Sequence, residues 1–382
     1  MNHLKIAHLM VDEKFINSAI RLFEIEFPGQ NDYFIFSPSP WKYINEEMSL
    51  NIFKKKRRDI LKFALKELKN FDLVIMHGLH NTFLLILLLA RKTNFVWLGW
   101  GFDYYQRGGK LDSMSIGLYQ NITMDYLIKE KKTISNLPIY YKLLNNDLIL
   151  KFLLKKINVF APVLPNEFEL IKKKYSLSKL KYLKWNYGSI DIDYLKAIND
   201  IDISSNNILL GNSSTPTNNH IECLYLLKKI NINRKVYTPL SYGDKKYAYY
   251  IEKIGKDLLN SNFISLKEFI PLNEYLSILS SCRNVIQNHI RQQAVGNIII
   301  MIYLGANIFL NKESINYHFF KKAGFYIYSI DELQENPQLL DSKLNNTEVA
   351  KNRNLINKYW SEITIRKNTR DLVFKSLEVN KI

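Results

Sequence analysis

The chain has 382 residues and a formal net charge of +17, from 53 Lys and Arg against 36 Asp and Glu. That length accommodates two domains of ordinary size, and 47% hydrophobic residues with only 14 glycines and 10 prolines exclude a disordered or collagen-like chain. Two cysteines, Cys223 and Cys282, exclude a disulfide framework and a zinc pattern and suit a reducing compartment, while the charge calls for an anionic partner such as nucleic acid, anionic lipid or a phosphorylated substrate.

The opening "MNHLKIAHLMVDEKF" has no uninterrupted apolar core of signal-peptide length before Asp12 and Glu13, and "LKIAHLM" is expected as the first strand. "FKKKRRDILKFALKELK", Phe53 to Lys69, reads as a basic amphipathic helix. "FDLVIMHG" is a buried strand with a polar end, "NTFLLILLLARK" a helix and "NFVWLGWG" a second strand. That spacing is a βαβ unit. The longest apolar run, Phe83 to Ala90, falls short of the ~20 residues that span a bilayer, so a soluble or peripheral protein is expected. "LILKFLLKKI", Leu148 to Ile157, is a second basic amphipathic candidate. Such helices either lie on an anionic leaflet or simply present a solvated charged face.

A boundary is expected near "KWNYGSIDIDYL". The domains are then 1–186, 187–345 and a helical segment, 346–382, packing back on the first. In the second half, strands are expected at "NNILLGNSS", with a polar, glycine-containing end, "RKVYTPLSYG", a strand and turn, "NFISLKEFIP", "RNVIQN" and "ANIFLN". Helices alternate with them at "NNHIECLYLLKKI", where Asn218 or Asn219 is a plausible cap, "KKYAYYIEKIGKDLL", "NEYLSILSSC" and "RQQAVGNIIIMIYLG". The fold class is therefore α/β, with two doubly wound domains.

Ligands of such sheets bind outside the carboxyl ends of the strands. At those ends stand Gly211, Asn212, Ser213 and Ser214, then Pro239, Ser241, Tyr242 and Gly243, then Asn288, His289, Arg291, Gln292 and Gln293. Arg291 offers a planar fork to phosphate. A helix start offers free N–H groups and a positive dipole end, and Gly296 permits close approach. No GxGxxG and no GxxxxGK[ST] is present, so neither a standard dinucleotide site nor a P-loop is supported. In the first half, "MHGLHN" places His77, His80 and Asn81 after a strand, and "WLGWGFDYYQRGGK" places Trp97, Trp100, Asp103, Tyr104 and Arg107 after the next. Asp103 is a candidate base or orienting carboxylate and His80 its rival, its intrinsic pKa being near neutral. His77 reads as a satisfied strand-end histidine and Trp97 as core.

"LLGNSSTPTNNHIECL" with "NHIRQQAVGNIIIMIYLGANIFLN", and more loosely "MHGLHN" with "WLGWGFDYY", resembles the bacterial TDP-N-acetylfucosamine:lipid II N-acetylfucosaminyltransferase family. The likeness runs from about Leu73 to Phe325. It implies a GT-B fold, two Rossmann-like domains facing across a cleft, with nucleotide sugar bound by the second and acceptor by the first. It implies no cofactor and no metal, basic side chains and helix dipoles stabilising the departing diphosphate. No acidic DxD pair stands at a strand end, and "DIDYL" at Asp191 falls in the expected linker.

The implied acceptor is an undecaprenyl-diphosphate-linked saccharide on the cytoplasmic face of the bacterial inner membrane. The implied donor set is Gly211, Asn212, Ser213, Tyr242, His289, Arg291, Gln292, Gln293 and Asn297, with Asp103 or His80 activating the acceptor. Fold and reaction class carry over; the particular sugars do not. Two alternatives stand beside this reading. One is a basic nucleic-acid-binding protein, although no nucleic-acid motif is present. The other is a sugar-nucleotide epimerase of the same fold.

Overall fold

The computed structural model describes residues 4–38, 40–45, 47, 51–91, 93–105, 117–130, 143–144, 146–194, 203–268 and 270–379. Arg107 lies outside the described residues. The chain divides into two units. The first comprises Met1–Lys110, Ile134–Ser189 and Trp360–Ile382, and the second Leu111–Thr133 and Ile190–Tyr359.

The first unit is built on seven strands: β1 (Ile6–Met10), β2 (Asn31–Ile35), β3 (Ile52–Lys54), β4 (Leu73–His77), β5 (Phe95–Leu98), β6 (Ile157–Ala161) and β7 (Lys181–Tyr182). Every pairing is parallel, in the order β3-β2-β1-β4-β5-β6-β7. β1, β4 and β5 are buried along their whole length, which is why they read as continuous apolar runs rather than alternating ones. The expected helix from Phe53 begins only at Arg57, because Phe53 and Lys54 form the edge strand β3. It then runs through turns of unequal pitch, with a π segment at Phe63–Glu67. The C-terminal helix Glu362–Val379 packs on the Ile16–Glu26 helix of this unit. Glu26 receives Arg366 and Arg370, Trp185 Nε1 donates to Thr369 Oγ1 at 2.9 Å, and Asn94 Nδ2 donates to Ser376 O at 2.9 Å.

The second unit has six parallel strands: β8 (Ile208–Leu210), β9 (Val236–Pro239), β10 (Phe263–Leu266), β11 (Asn284–Gln287), β12 (Asn307–Leu310) and β13 (Tyr328–Ser329). Their order is β10-β9-β8-β11-β12-β13. Leu210, Ile221, Leu224, Val236, Ile251, Ile286 and Phe309 lie at the centre of its core. Tyr126 and Leu127 of the Asn121–Lys129 helix join that core, Tyr126 stacking on Tyr250 at 4.2 Å. Thr123 donates through N and Oγ1 to Glu222 at 2.8 and 2.7 Å. This helix precedes β6 in sequence, yet its contacts are with the second unit.

Both sheets are α/β and doubly wound, as expected, and both reverse strand order once, at β1/β4 and at β8/β11. The crevice outside the carboxyl ends at that reversal is where such sheets take ligands.

Four histidines are fully or almost fully buried: His8 and His77 in the first unit, His220 and His289 in the second. Burial pushes His8 and His220 down to about 3 and holds His77 and His289 well below the ordinary 6.5. All four are neutral in the folded state, and each takes up a proton only on unfolding. Their stabilising share is complete above the unfolded value and is lost as pH falls below it, at up to about 1.4 kcal/mol per pH unit for each. Glu167, which burial pushes up to about 7, and Glu13 and Asp32, which burial also raises, work in the opposite sense but are three groups against four. Thermal melting is therefore expected to drop clearly between pH 7 and pH 5. An unchanged or rising melting temperature over that window would show that the imidazoles do not dominate, the raised carboxyls outweighing them or the rings being protonated in the fold.

Candidate functional site

The site of the second unit is built from three loops at the carboxyl ends of β8, β9 and β11. After β8 the chain turns through Gly211 at φ +68°, where an added Cβ would lie 2.3 Å from His220 Nε2. No residue but glycine fits both the backbone and the space. The loop returns through a 3₁₀ turn, Pro216–Asn218, and through Asn219 at φ 48° into the helix His220–Lys229. The loop after β9 is fastened to it: Ser214 N and Oγ donate to Tyr242 O at 2.9 and 2.7 Å. The loop after β11 runs from Asn288 to Ala294, which takes φ 58° before the helix Val295–Leu304 begins.

Asn212 is the hub. Its Nδ2 donates to the Tyr242 hydroxyl at 2.9 Å, and its Oδ1 accepts from Gln293 Nε2 at 2.8 Å. His289 Nε2 lies 3.2 Å from Asn212 Oδ1 and 3.1 Å from Asn218 Oδ1. Two amide oxygens facing one ring nitrogen assign the proton to Nε2, so Nδ1 keeps a bare lone pair. Asn218 Oδ1 also accepts from Asn212 N at 3.0 Å, and Thr217 Oγ1 donates to Gln293 Oε1 at 2.9 Å. After burial, the Arg291 guanidinium and His220 add to the depression of His289. Arg291 itself is half-buried, and its Nη1 donates to Gln292 O at 3.0 Å. Tyr242 exposes 60% of its surface while its hydroxyl stays pinned to Asn212; burial of that hydroxyl pushes it above its ordinary value, and it remains protonated.

Of the residues singled out in the sequence, Gly211, Asn212, Ser213, Tyr242, His289, Arg291 and Gln293 converge here. Ser213 Oγ lies 3.2 Å from Asn218 Nδ2. Gln292 is buried beside them, and its Oε1 meets no donor among the described residues. Asn297 is set apart, on the helix, where its Nδ2 reaches the Tyr275 hydroxyl at 3.4 Å. Two expectations change. Arg291, Gln292 and Gln293 do not open a helix: they lie in the loop, because Ala294 must turn left-handed before Val295 can start one. Asn218 and Asn219 make no side-chain cap. Asn218 holds the network, and Asn219 Nδ2 donates to Leu118 O and Asn288 O at 3.1 and 3.0 Å. Gln120 completes that second lock, its Oε1 accepting from Asn288 Nδ2 at 2.8 Å. Sequence reading missed Thr217 and Gln120, whose only signal was an amide- and hydroxyl-rich run.

In the first unit the polar residues lie beyond β4 and β5. Asp103 is 2% exposed and fully engaged. Its Oδ2 accepts from Leu79 N at 2.8 Å and Trp97 Nε1 at 2.7 Å, and its Oδ1 from Trp100 N at 2.9 Å. It ties the two loops together. Trp97 is core, stacked on Phe160 at 4.1 Å. His80 begins the helix Asn81–Leu89 and is half-buried between Phe83 and Phe102. His77 belongs to a buried chain. Trp100 Nε1 donates to the Tyr187 hydroxyl at 2.6 Å, which lies 3.0 Å from His77 Nδ1. His77 Nε2 lies 3.1 Å from His8 Nδ1, and His8 Nε2 lies 3.1 Å from Asn31 Oδ1. With both rings neutral, every proton in this chain has one acceptor, and His77 is satisfied internally. Glu13, just beyond β1, was not singled out in the sequence. It sits at the β1/β4 reversal, its carboxyl raised by burial and by neighbouring Asp12.

Among the described residues no three His, Cys, Asp or Glu side chains gather as metal ligands. Residues 187–354 match a family model described as 4-alpha-L-fucosyltransferase, glycosyl transferase group 56. The chain is similar in structure to a glycosyltransferase from Rickettsia africae ESF-5, with 11% identity, all of both chains covered and a TM-score of 0.65. It is similar to the lipopolysaccharide outer core galactosyltransferase WaaB, with 11% identity, 97% of this chain and 99% of that one covered and a TM-score of 0.61. It is also similar to Anabaena Alr3699/HepE solved with UDP-glucose, with 11% identity, 98% and 100% covered and a TM-score of 0.62. The chain thus has the GT-B fold of glycosyltransferases and, over residues 187–354 alone, a match to a glycosyltransferase family model.

Gly211→Ala is expected to destabilise the second unit by about 1–3 kcal/mol, from left-handed strain and the clash with His220. Denaturant unfolding checks this, and a wild-type midpoint would mean that the loop after β8 can reshape.

Proposed function

We propose that the chain transfers a deoxyamino sugar from a nucleoside diphosphate sugar, TDP-linked in the first instance, to a lipid-linked saccharide at the cytoplasmic face of a bacterial inner membrane. One observation carries this reading. The stretch that matches the fucosyltransferase model, 187–354, contains the whole network around Asn212 and Arg291 at the β8/β11 reversal. A fucose-like donor sugar agrees with that model's description, and a nucleoside diphosphate agrees with the UDP-glucose bound by Alr3699/HepE.

In this mechanism the second unit takes the donor. Arg291 and the backbone of the Asn288–Ala294 loop hold the diphosphate and stabilise the charge that develops as the glycosidic bond to phosphate breaks. Tyr242 offers an exposed ring to the base or ribose from a hydroxyl-anchored position, and Asn212, Ser213, Gln292 and Gln293 donate to sugar or phosphate oxygens. The first unit takes the acceptor. His80, half-buried between Phe83 and Phe102, accepts the proton of the attacking hydroxyl. Asp103, whose oxygens are committed to three N–H donors, positions the two loops that frame His80.

Titration calorimetry with TDP or UDP, without added divalent ion, should show binding. Arg291→Ala should weaken it by about tenfold to a hundredfold, the loss of a charge-assisted contact worth ~1.5–3 kcal/mol. Unchanged affinity would move the diphosphate elsewhere.

His80→Ala should remove most transfer to a lipid-linked acceptor while sparing donor binding. Asp103→Asn, which turns one of its oxygens into a donor facing N–H groups, should lower the stability of the first unit by about 1–3 kcal/mol as well as the rate. Full transfer by both variants would leave the first-unit motif purely structural.

A further inference from the structure

The helix Asn81–Leu89, "NTFLLILLL", is apolar on nearly every side. Such a helix is covered, by protein or by lipid. Phe83, Leu84, Ile86 and Leu87 are buried, but Leu88 is 44% exposed and Leu85 and Leu89 are only half-buried. Its two neighbours extend the same bare surface. On one side the turns of Arg57–Asn70 pack on it and leave Leu61 and Leu65 exposed, one helical turn apart. On the other the Asp147–Leu154 helix packs on it and leaves Leu148 79% and Phe152 57% exposed, again one turn apart. Lys156 binds the last two helices together, its Nζ donating to the carbonyls of Leu87, Leu88 and Ala90 at 2.5, 3.0 and 3.2 Å.

The charge around these side chains is basic. From Lys54 to Lys69 eight Lys and Arg stand against Asp59 and Glu67 alone. Lys56, Arg58, Lys62, Lys66 and Lys69 are exposed, as is Lys155 beyond Phe152. A second copy of the chain on this face would bring two such fields together at a Coulombic cost. An anionic bilayer offers what both components need, hydrocarbon for the leucines and phosphate for the lysines.

We propose that this three-helix face of the first unit docks on an anionic lipid bilayer. Leu61, Leu65, Leu88, Leu148 and Phe152 enter the headgroup–acyl boundary, and the surrounding lysines meet lipid phosphates. The surface lies on helices that carry no residue of the proposed donor site, and the inference stands whether or not the sugar-transfer reading does.

The test is sedimentation of the full chain with vesicles of phosphatidylcholine alone and of phosphatidylcholine mixed with phosphatidylglycerol. The mixed vesicles should bind at least roughly tenfold more tightly, and raised salt should weaken that binding. Leu148→Ser/Phe152→Ser and, separately, Lys62→Glu/Lys66→Glu should each weaken it by about tenfold or more. Circular dichroism melts and nucleoside diphosphate titrations identify a misfolded variant, and Leu61→Ser at one site then replaces it. Equal binding to both vesicle types, binding to neither, or undiminished binding by the folded variants overturns the proposal. So does a dimer in light scattering that the leucine variants dissolve, which would assign the face to a second copy. Loss of sugar transfer with vesicle binding intact would count against the proposed function alone.

Discussion

Parallel pairing is the constraint from which the rest follows. Parallel strands need a crossover of a dozen or more residues, so each strand's carboxyl end opens into a loop that leads to a helix and all these loops gather on one edge. With the order 3-2-1-4-5-6 repeated in each sheet, the first and fourth strands send their crossovers to opposite faces, and the loops beyond them part. In the second unit that parting is flanked by Gly211–Asn219 and Asn288–Ala294, two segments joined by several side-chain hydrogen bonds. The polar residues between β11 and its helix are there because the sheet leaves a place for them.

Such a place is costly to fill. Burying an amide or imidazole without a partner costs on the order of 1–3 kcal/mol. The loops meet that cost with one another: Asn218 answers Asn212 and Ser213, Thr217 answers Gln293, and Asn219 answers Asn288. Because the members are amides, hydroxyls and neutral imidazoles, the network fixes geometry without fixing charge. His289 illustrates this. Its depressed basicity and its two amide-oxygen neighbours hold it as one tautomer, a rigid post rather than a proton carrier.

Much of the architecture was legible because burial on both faces makes the central strands continuous apolar runs, as at Leu73–His77 and Asn284–Gln287. The edge strands of the first sheet were not. β3 and β7 are three and two residues long and carry lysines, which also suits an exposed sheet edge that must not pair further. β6 escaped because its start abuts a basic amphipathic helix with no turn signal between them. The clustering of Asn212, His289 and Arg291 could be expected from strand-end positions alone. The roles of Thr217, Asn218 and Gln120 could not, since a cap and a loop-to-loop amide contact draw on the same residue types. The joining of Asn121–Lys129 to the second unit depends on Tyr126 finding Tyr250, a contact between residues far apart in sequence with no local signature.

The proposed function asks the second sheet's edge to hold an anion. Carboxylates do occur near these loops, but they are occupied. Asp244 accepts from Tyr247 N at 3.0 Å as the cap of its helix, and Glu222 accepts twice from Thr123. Arg291 lies in the Asn288–Ala294 loop, beside the neutral, buried His289. The low local polarisability around buried His289 and Gln293 strengthens the interactions of its guanidinium. The +17 of the whole chain raises the local concentration of anions. Under the proposed function, Arg291 gives that general attraction one address.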